Sequence, residues 1–323
     1  MKRLIAIALI GSAVAMPLLS GGDLPPGFPP PIAGANVQTE AKFQLGRQLF
    51  YDRRLSYNGT QSCADCHQQK LAFTDGRPRA IGSTGQQHTR NAMTLTNAAY
   101  NATYTWTGTS VRTLEQQALV PMLNEHPIEL GVRNHQREIV SRLESDPACV
   151  SRFRAAFPGE RHPVSLRNIA KALASFEREL ISGHSPYDQL VYGGDERALS
   201  PEAWRGMNLF YSPRAGCSGC HRGFNFSGDV RYAGSRNARP RLASNGVTTG
   251  EFRVPTLRNI ALTAPYMHDG SLATLEAVID RYSEARRLGL SAEEKGDLVA
   301  FLKSLTDVSF VTNPRLGDPR PDR

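Results

Sequence analysis

Strand-like alternation of polar and apolar residues is nearly absent from this chain, which argues against a sheet-built fold. Basic residues exceed acidic ones for a formal charge of +8, yet no stripe gathers them, and that scatter argues against a nucleic-acid surface. Removing a leader that carries Lys2 and Arg3 leaves 36 basic against 30 acidic residues, +6, a solvated surface with a modest bias toward an acidic protein partner. Long apolar runs are missing too: residues 4–19 form the one candidate, short for a bilayer span and followed by no basic stop-transfer cluster. Cysteine is sparse, at five residues, and tryptophan sparser, at two. What remains is 323 residues with 40% apolar content, enough for about two domains with cores of their own.

Lys2 and Arg3 precede the apolar run, and small residues at Ala13, Ala15, Ser20 and Gly21 complete the pattern of a cleavable export signal over 1–22. A periplasmic protein with no membrane span after cleavage is expected. Residues 23–39 follow as a stiff proline-rich leader.

Four of the five cysteines form two CxxCH motifs, Cys63, Cys66 and His67, then Cys217, Cys220 and His221. Each follows a GxxLFY stretch, at 46–51 and 206–211, so the chain reads as a duplication, 40–192 and 193–323. Both stretches end amphipathic helical patterns, the second opened by Ser200 as N-cap and Pro201 at the first helical position. Further helices are expected at 136–144, 166–181, 272–282 and 293–305, the last behind a capping box from Ser291 to Glu294. Long loops rich in Gly, Asn and Thr, 76–110 and 223–256, have room to wrap something other than protein.

CxxCH attaches c-type haem: the thiols add to the vinyl groups and the adjacent His coordinates the iron. Zinc ribbons place their CxxC pairs some 15–20 residues apart, far closer than these, and disulfide-exchange motifs sit in α/β surroundings that this chain lacks. The expected fold is therefore mainly α, two cytochrome c-like haem domains with loops wrapping two covalent haems, and His67 and His221 are the proximal ligands. Cys149 has no partner and reads as a buried apolar thiol. The stretch 265–282 offers three further iron-binding side chains, Met267, His268 and Tyr282, and apolar spacing after Ser271 puts Tyr282 on the buried face of a helix.

These motifs, with 90–92, Trp106, 113–117, 127–131, 254–259 and 265–270, resemble the bacterial di-haem cytochrome c peroxidase and MauG superfamily over roughly 40–306. The resemblance implies that peroxide reacts at the first haem, with Glu129 above it as acid and base, and that Gln117 and Pro121 line the same pocket. The segment from Gln117 to Glu129 is two residues longer than the family pattern, which leaves Glu125 and His126 as competitors. A histidine that blocks the first iron in many members is expected at Ser83; the nearest histidine, His88, is out of register, so either it does this work from a shifted loop or the iron is permanently open, and the open iron is the favoured expectation. Trp106 matches the tryptophan between the haems, and Asn91, Thr263 and Pro265 match an inter-haem Ca2+ site.

The family's second haem carries a methionine fourteen residues after the histidine of the His-Asp-Gly turn, and counting from His268 reaches Tyr282. Tyrosine there resembles the MauG-like branch, and the wording around Glu129 the MbnH-type enzymes paired with copper-binding partners. The implied activity is a peroxide-driven, bis-Fe(IV)-type oxidation of tryptophan in a partner protein. Ala215 stands where MauG has its exit tryptophan, so Tyr211 or Trp204 must substitute or the partner docks elsewhere. Two rivals remain, a peroxide-scavenging cytochrome c peroxidase fed by a small cytochrome or cupredoxin, and a di-haem electron carrier without catalysis.

Overall fold

The computed structural model describes residues 24–32, 34–233, 235, 242–244 and 250–320. The expected export signal, 1–22, lies outside them. The described chain is helical: α1 Glu40–Phe50, α2 Cys63–Cys66, α3 Leu114–Leu123, α4 Gln136–Glu144, α5 Pro147–Ala156, α6 Leu166–Glu177, α7 Pro186–Val191, α8 Pro201–Tyr211, α9 Leu275–Ala285, α10 Ala292–Lys303 and α11 Val308–Val311. Only isolated bridges, and no sheet, occur among the described residues.

Caps set most boundaries. Ser200 accepts from the Ala203 amide with Pro201 at the first helical position, and Ser291 and Glu294 close the expected capping box. Among the expected boundaries that shift, two have a hydrogen-bonded cause. The helix anticipated from 272 begins at Leu275, because the Thr274 hydroxyl accepts from Ala277 N. The helix anticipated to 181 ends at Glu177, because the next turn leaves helical geometry to give the Leu180 carbonyl to Asn97 N at 2.8 Å.

The GxxLFY glycines have a packing reason. A Cβ on Gly46 would stand 1.9 Å from the Ala172 carbonyl oxygen, and one on Gly206 would stand 1.9 Å from that of Asp297. So α1 crosses α6, and α8 crosses α10, with backbones in contact, and only glycine fits. The repeat extends further: Asn97 and Asn259, both left-handed, donate their amides to the Leu180 and Leu305 carbonyls. Ala172, Phe176 and Leu180 thus correspond to Asp297, Phe301 and Leu305.

Each crossing nucleates a core. One runs from Phe43 to Leu180 and includes Cys149; the other runs from Tyr187 to Leu305. The C-terminal tail crosses the expected 192/193 division, since Phe310 and Leu316 pack into the first core. The proline-rich leader is docked rather than free: Phe28 packs edge-on against Phe224 at 4.8 Å, and the Tyr100 hydroxyl donates to the Pro29 carbonyl. Beneath Phe28 lies Arg258, fully buried and bidentate to Asp188 at 2.8 and 2.9 Å. A buried charge of this kind is tolerable only with its partner in place.

Gly46→Ala should cost about 3 kcal/mol or more, since the added methyl meets backbone and not a side chain that can turn away. Gly296→Ala, inside α10 with open space around it, should instead stabilise by about 0.5–1 kcal/mol. Urea unfolding followed by circular dichroism measures both; equal effects would contradict the packing account.

Candidate functional site

Of the cavities beside the CxxCH segments, two take in their histidines. In the first, α2 is held by the Asp65 carboxylate, which accepts from Ser62 N and Oγ at 2.7 and 2.9 Å. His67 follows, its Nδ1 2.8 Å from the Phe73 carbonyl, and Phe73 takes left-handed φ (61°) to present that oxygen. This fixes the ring and leaves Nε2 for a metal. Burial lowers the proton affinity of His67, so the imidazole is neutral, as a ligand must be.

Glu129 lines the same cavity with Gln117, Pro121, His88 and Glu177. Its loop is clamped by Leu130 N on the Pro121 carbonyl, Val132 N on Met122, and Ser83 N on the Glu129 carbonyl, all at 2.8–2.9 Å. Burial pushes the Glu129 carboxyl up to about 7, against a hydrogen bond from Asn124 that pulls it down. The competitors fall away by position: Glu125 pairs with Arg133 at 3.2 Å on the surface, and His126 does not line the cavity.

His88 bears on the choice between a shifted loop and an open iron. Despite its shifted register it enters the cavity, with Nε2 3.8 Å from Glu129 Oε1. Its Nδ1 accepts from Arg90 N at 3.0 Å, so the neutral ring carries its proton on Nε2, facing the carboxylate. Burial keeps the ring neutral. Ser83, the family position, is absent from the lining.

The second cavity is larger, about 230 Å³, and collects Cys217, Cys220, His221, Trp106, Asn91, Thr263, Pro265, Met267, His268 and Tyr282 among its lining residues. His221 repeats the first arrangement, its Nδ1 2.9 Å from the carbonyl of left-handed Phe226. All three candidates of 265–282 reach this cavity, and their surroundings separate them. His268 Nδ1 lies 3.3 Å from Asp269 Oδ1 without a hydrogen bond and its ring lies edge-on to Phe252, while Met267 sits in the turn itself with positive φ. Tyr282 comes from α9, with the Arg286 guanidinium 5.5 Å from its ring centre.

Trp106 stands where walls from both halves meet. Its Nε1 donates to the Asn91 carbonyl at 2.9 Å, and its own carbonyl accepts from Arg253 N. Ala215 is buried in the wall and offers no ring.

Both cavities suit haem. Gln117 Oε1 and Glu177 Oε2 in the first, and Arg253 Nε and His268 Nδ1 in the second, are buried without a hydrogen-bond partner. Such atoms are costly unless a polar group lies against them. Burial pulls the Arg253 guanidinium down to about 10 and raises the Glu177 carboxyl to about 8, so a propionate suits Arg253. The thiols of Cys63, Cys66 and Cys217 are held neutral by burial, that of Cys66 pushed up to about 12. Sequence reasoning missed Arg253 and Glu177; only Glu177 gave a signal, as a charge on the apolar stripe of α6.

Comparison with known proteins agrees with this geometry. A family profile described as di-haem cytochrome c peroxidase matches residues 40–197. Methylamine utilization protein MauG of Methylorubrum extorquens is 36% identical over 87% of this chain and 83% of its own length. Cytochrome c551 peroxidase of Pseudomonas aeruginosa is 33% identical over 83% of this chain and 79% of its own. The crystal structure of a MauG-like protein associated with microbial copper homeostasis superposes with a TM-score of 0.89 at 39% identity, covering 93% of this chain and 99% of that one. The fold also matches the diheme peroxidase BthA from Burkholderia thailandensis, with a TM-score of 0.68 at 20% identity. This chain belongs to the di-haem cytochrome c peroxidase and MauG family, haem-dependent oxidoreductases that act with peroxide through two c-type haems.

Proposed function

We propose that this protein takes hydrogen peroxide at the first haem site, passes oxidising equivalents by way of Trp106 to the second, and there oxidises an aromatic side chain, tryptophan, of a partner protein. The observation that carries the reading is Tyr282 in the lining of the second cavity with His221. A soft thioether raises haem potential and suits a site that accepts electrons from a small cytochrome; a hard phenolate favours retention of oxidising power.

Bound haem supplies the iron that accepts peroxide and the capacity to hold oxidising equivalents. The chain supplies proton handling and position. Glu129 takes the proton from the peroxide oxygen nearer the iron and returns it to the far oxygen, which leaves as water. The protonated Nε2 of His88, 3.8 Å from Glu129, steadies the carboxylate between the two transfers. Trp106, tied to Asn91 and Arg253 in the wall of the second cavity, would serve as the step between the sites.

Export through residues 1–22 to the periplasm belongs to the same proposal. So does one Ca2+ held by Asn91, Thr263 and Pro265, three oxygen-bearing residues that line one cavity beside Trp106. Likeness to a protein associated with copper homeostasis supports an exported copper-binding protein as partner. A second reading, peroxide scavenging with electrons from a small cytochrome or cupredoxin, draws on His88 in the first cavity.

Two measurements test the proposal. With Glu129 as base, kcat/KM for peroxide should rise with pH through about 7 and level off above it, because the ionised form is the active one. Glu129→Gln should lose about 10²–10⁴-fold and flatten the profile. Tyr282→Phe should abolish the long-lived near-infrared absorption of the peroxide-oxidised protein, and Tyr282→Met should gain turnover with reduced cytochrome c. Fast turnover of the unaltered protein with that cytochrome would favour the scavenger instead.

A further inference from the structure

We propose that Tyr211, at the C-terminal end of α8, is the surface relay through which the second haem site draws electrons from its donor. The inference rests on the function proposed above and supplies the exit that Ala215 does not. The neighbouring ring on one side is Phe210, with centroids 5.3 Å apart, and Phe210 lines the second cavity beside Cys217 and His221. On the other side Tyr211 meets solvent, 44% exposed, one of few large apolar side chains so placed among the described residues. Its hydroxyl lies 3.1 Å from that of Tyr187, a buried ring 5.0 Å from Phe226, whose carbonyl orients His221.

The duplication supplies a control within the molecule. Tyr51 occupies the equivalent position of the first GxxLFY stretch, and there the C-terminal tail covers it: the Tyr51 hydroxyl donates to the Leu316 carbonyl, and Arg320 donates to the Tyr51 carbonyl. The same ring is half-buried and hydrogen-bonded to the tail in one half, and exposed in the other. Trp204, the other candidate, is tied to the Glu196 carbonyl and does not line the cavity.

The chemistry balances without a further reagent. Tyr211 gives one electron, through the Phe210 contact, to the centre oxidised by peroxide, and its phenol proton passes to water at the exposed edge. The resulting phenoxyl takes one electron from the donor and regains a proton from water. Two such events supply the two electrons that, with two protons, reduce one peroxide to two waters. Phe210 has no proton to release and serves as the packed bridge; the Tyr187 hydroxyl hydrogen-bonds the phenol and phenoxyl oxygen.

The test uses the haem-loaded protein with peroxide and no partner. Freeze-quench EPR should show a tyrosyl radical, and a spin trap should leave its adduct on the peptide that carries Tyr211. Tyr211→Phe should lose both and slow the decay of the oxidised protein toward an added one-electron donor by about tenfold or more. Tyr211→Trp should restore the decay, which separates electron transfer from packing, and Tyr187→Phe should shift the radical's g-values. Unchanged decay in Tyr211→Phe with the adduct on Trp204 or another ring would overturn the relay while leaving the proposed function intact. Absence of any oxidised state in the unaltered protein would overturn both.

Discussion

Everything else in the structure depends on two places where helix backbones touch. At Gly46 against Ala172 and at Gly206 against Asp297, the chain brings α1 onto α6 and α8 onto α10 with no side chain between them. From each crossing the Leu-Phe-Tyr residues project at fixed angles, so Phe50 and Phe210 form the walls behind the CxxCH histidines. A larger residue would move the helices apart and with them the wall against which haem must pack. The glycines therefore act on chemistry without touching it.

Charge in the interior follows a second logic. Arg258 and Asp188 satisfy one another completely and tie the leader, α7 and the 224–226 turn to one point. Arg253 and Glu177 have no such counterpart, although both are buried. Protein interiors rarely carry unpaired ionisable groups for stability alone. Both line cavities suited to a large cofactor with acidic edges, and the fold bears their cost where that cofactor offsets it.

The sequence made legible whatever depends on local spacing. CxxCH, the Ser-Pro start of α8, the capping box of α10 and the paired glycines are read within a few residues, and the structure repeats them. What failed to show was set at long range. His88 reads as out of register because counting along the chain cannot see a loop that folds back to Glu129. Nor does the leader's composition reveal that Phe28 docks on Phe224 and Arg258, or the tail's that Leu316 caps Tyr51. The start of α9 moved by three residues because Thr274 captures an amide that no apolar period records.

Duplication also explains why the two sites differ. The crossings superpose Phe176 on Phe301 and, one residue later, Glu177 on Leu302, and both of the latter line their cavities. One frame thus holds an acid in the first cavity and a hydrocarbon in the second. The first adds Glu129 and His88, side chains able to carry protons; the second adds Tyr282, proposed above as a ligand, and adjoins the ring contact from Phe210 to the exposed Tyr211. Bond cleavage needs proton donors within a closed pocket, whereas electron exchange needs rings in contact and an open edge. The tail partly covers Tyr51, whereas Tyr211 is exposed, which on the proposed function would leave the second half the more open to electron exchange. The asymmetry lies in the side chains and the tail, laid over two crossings that are the same.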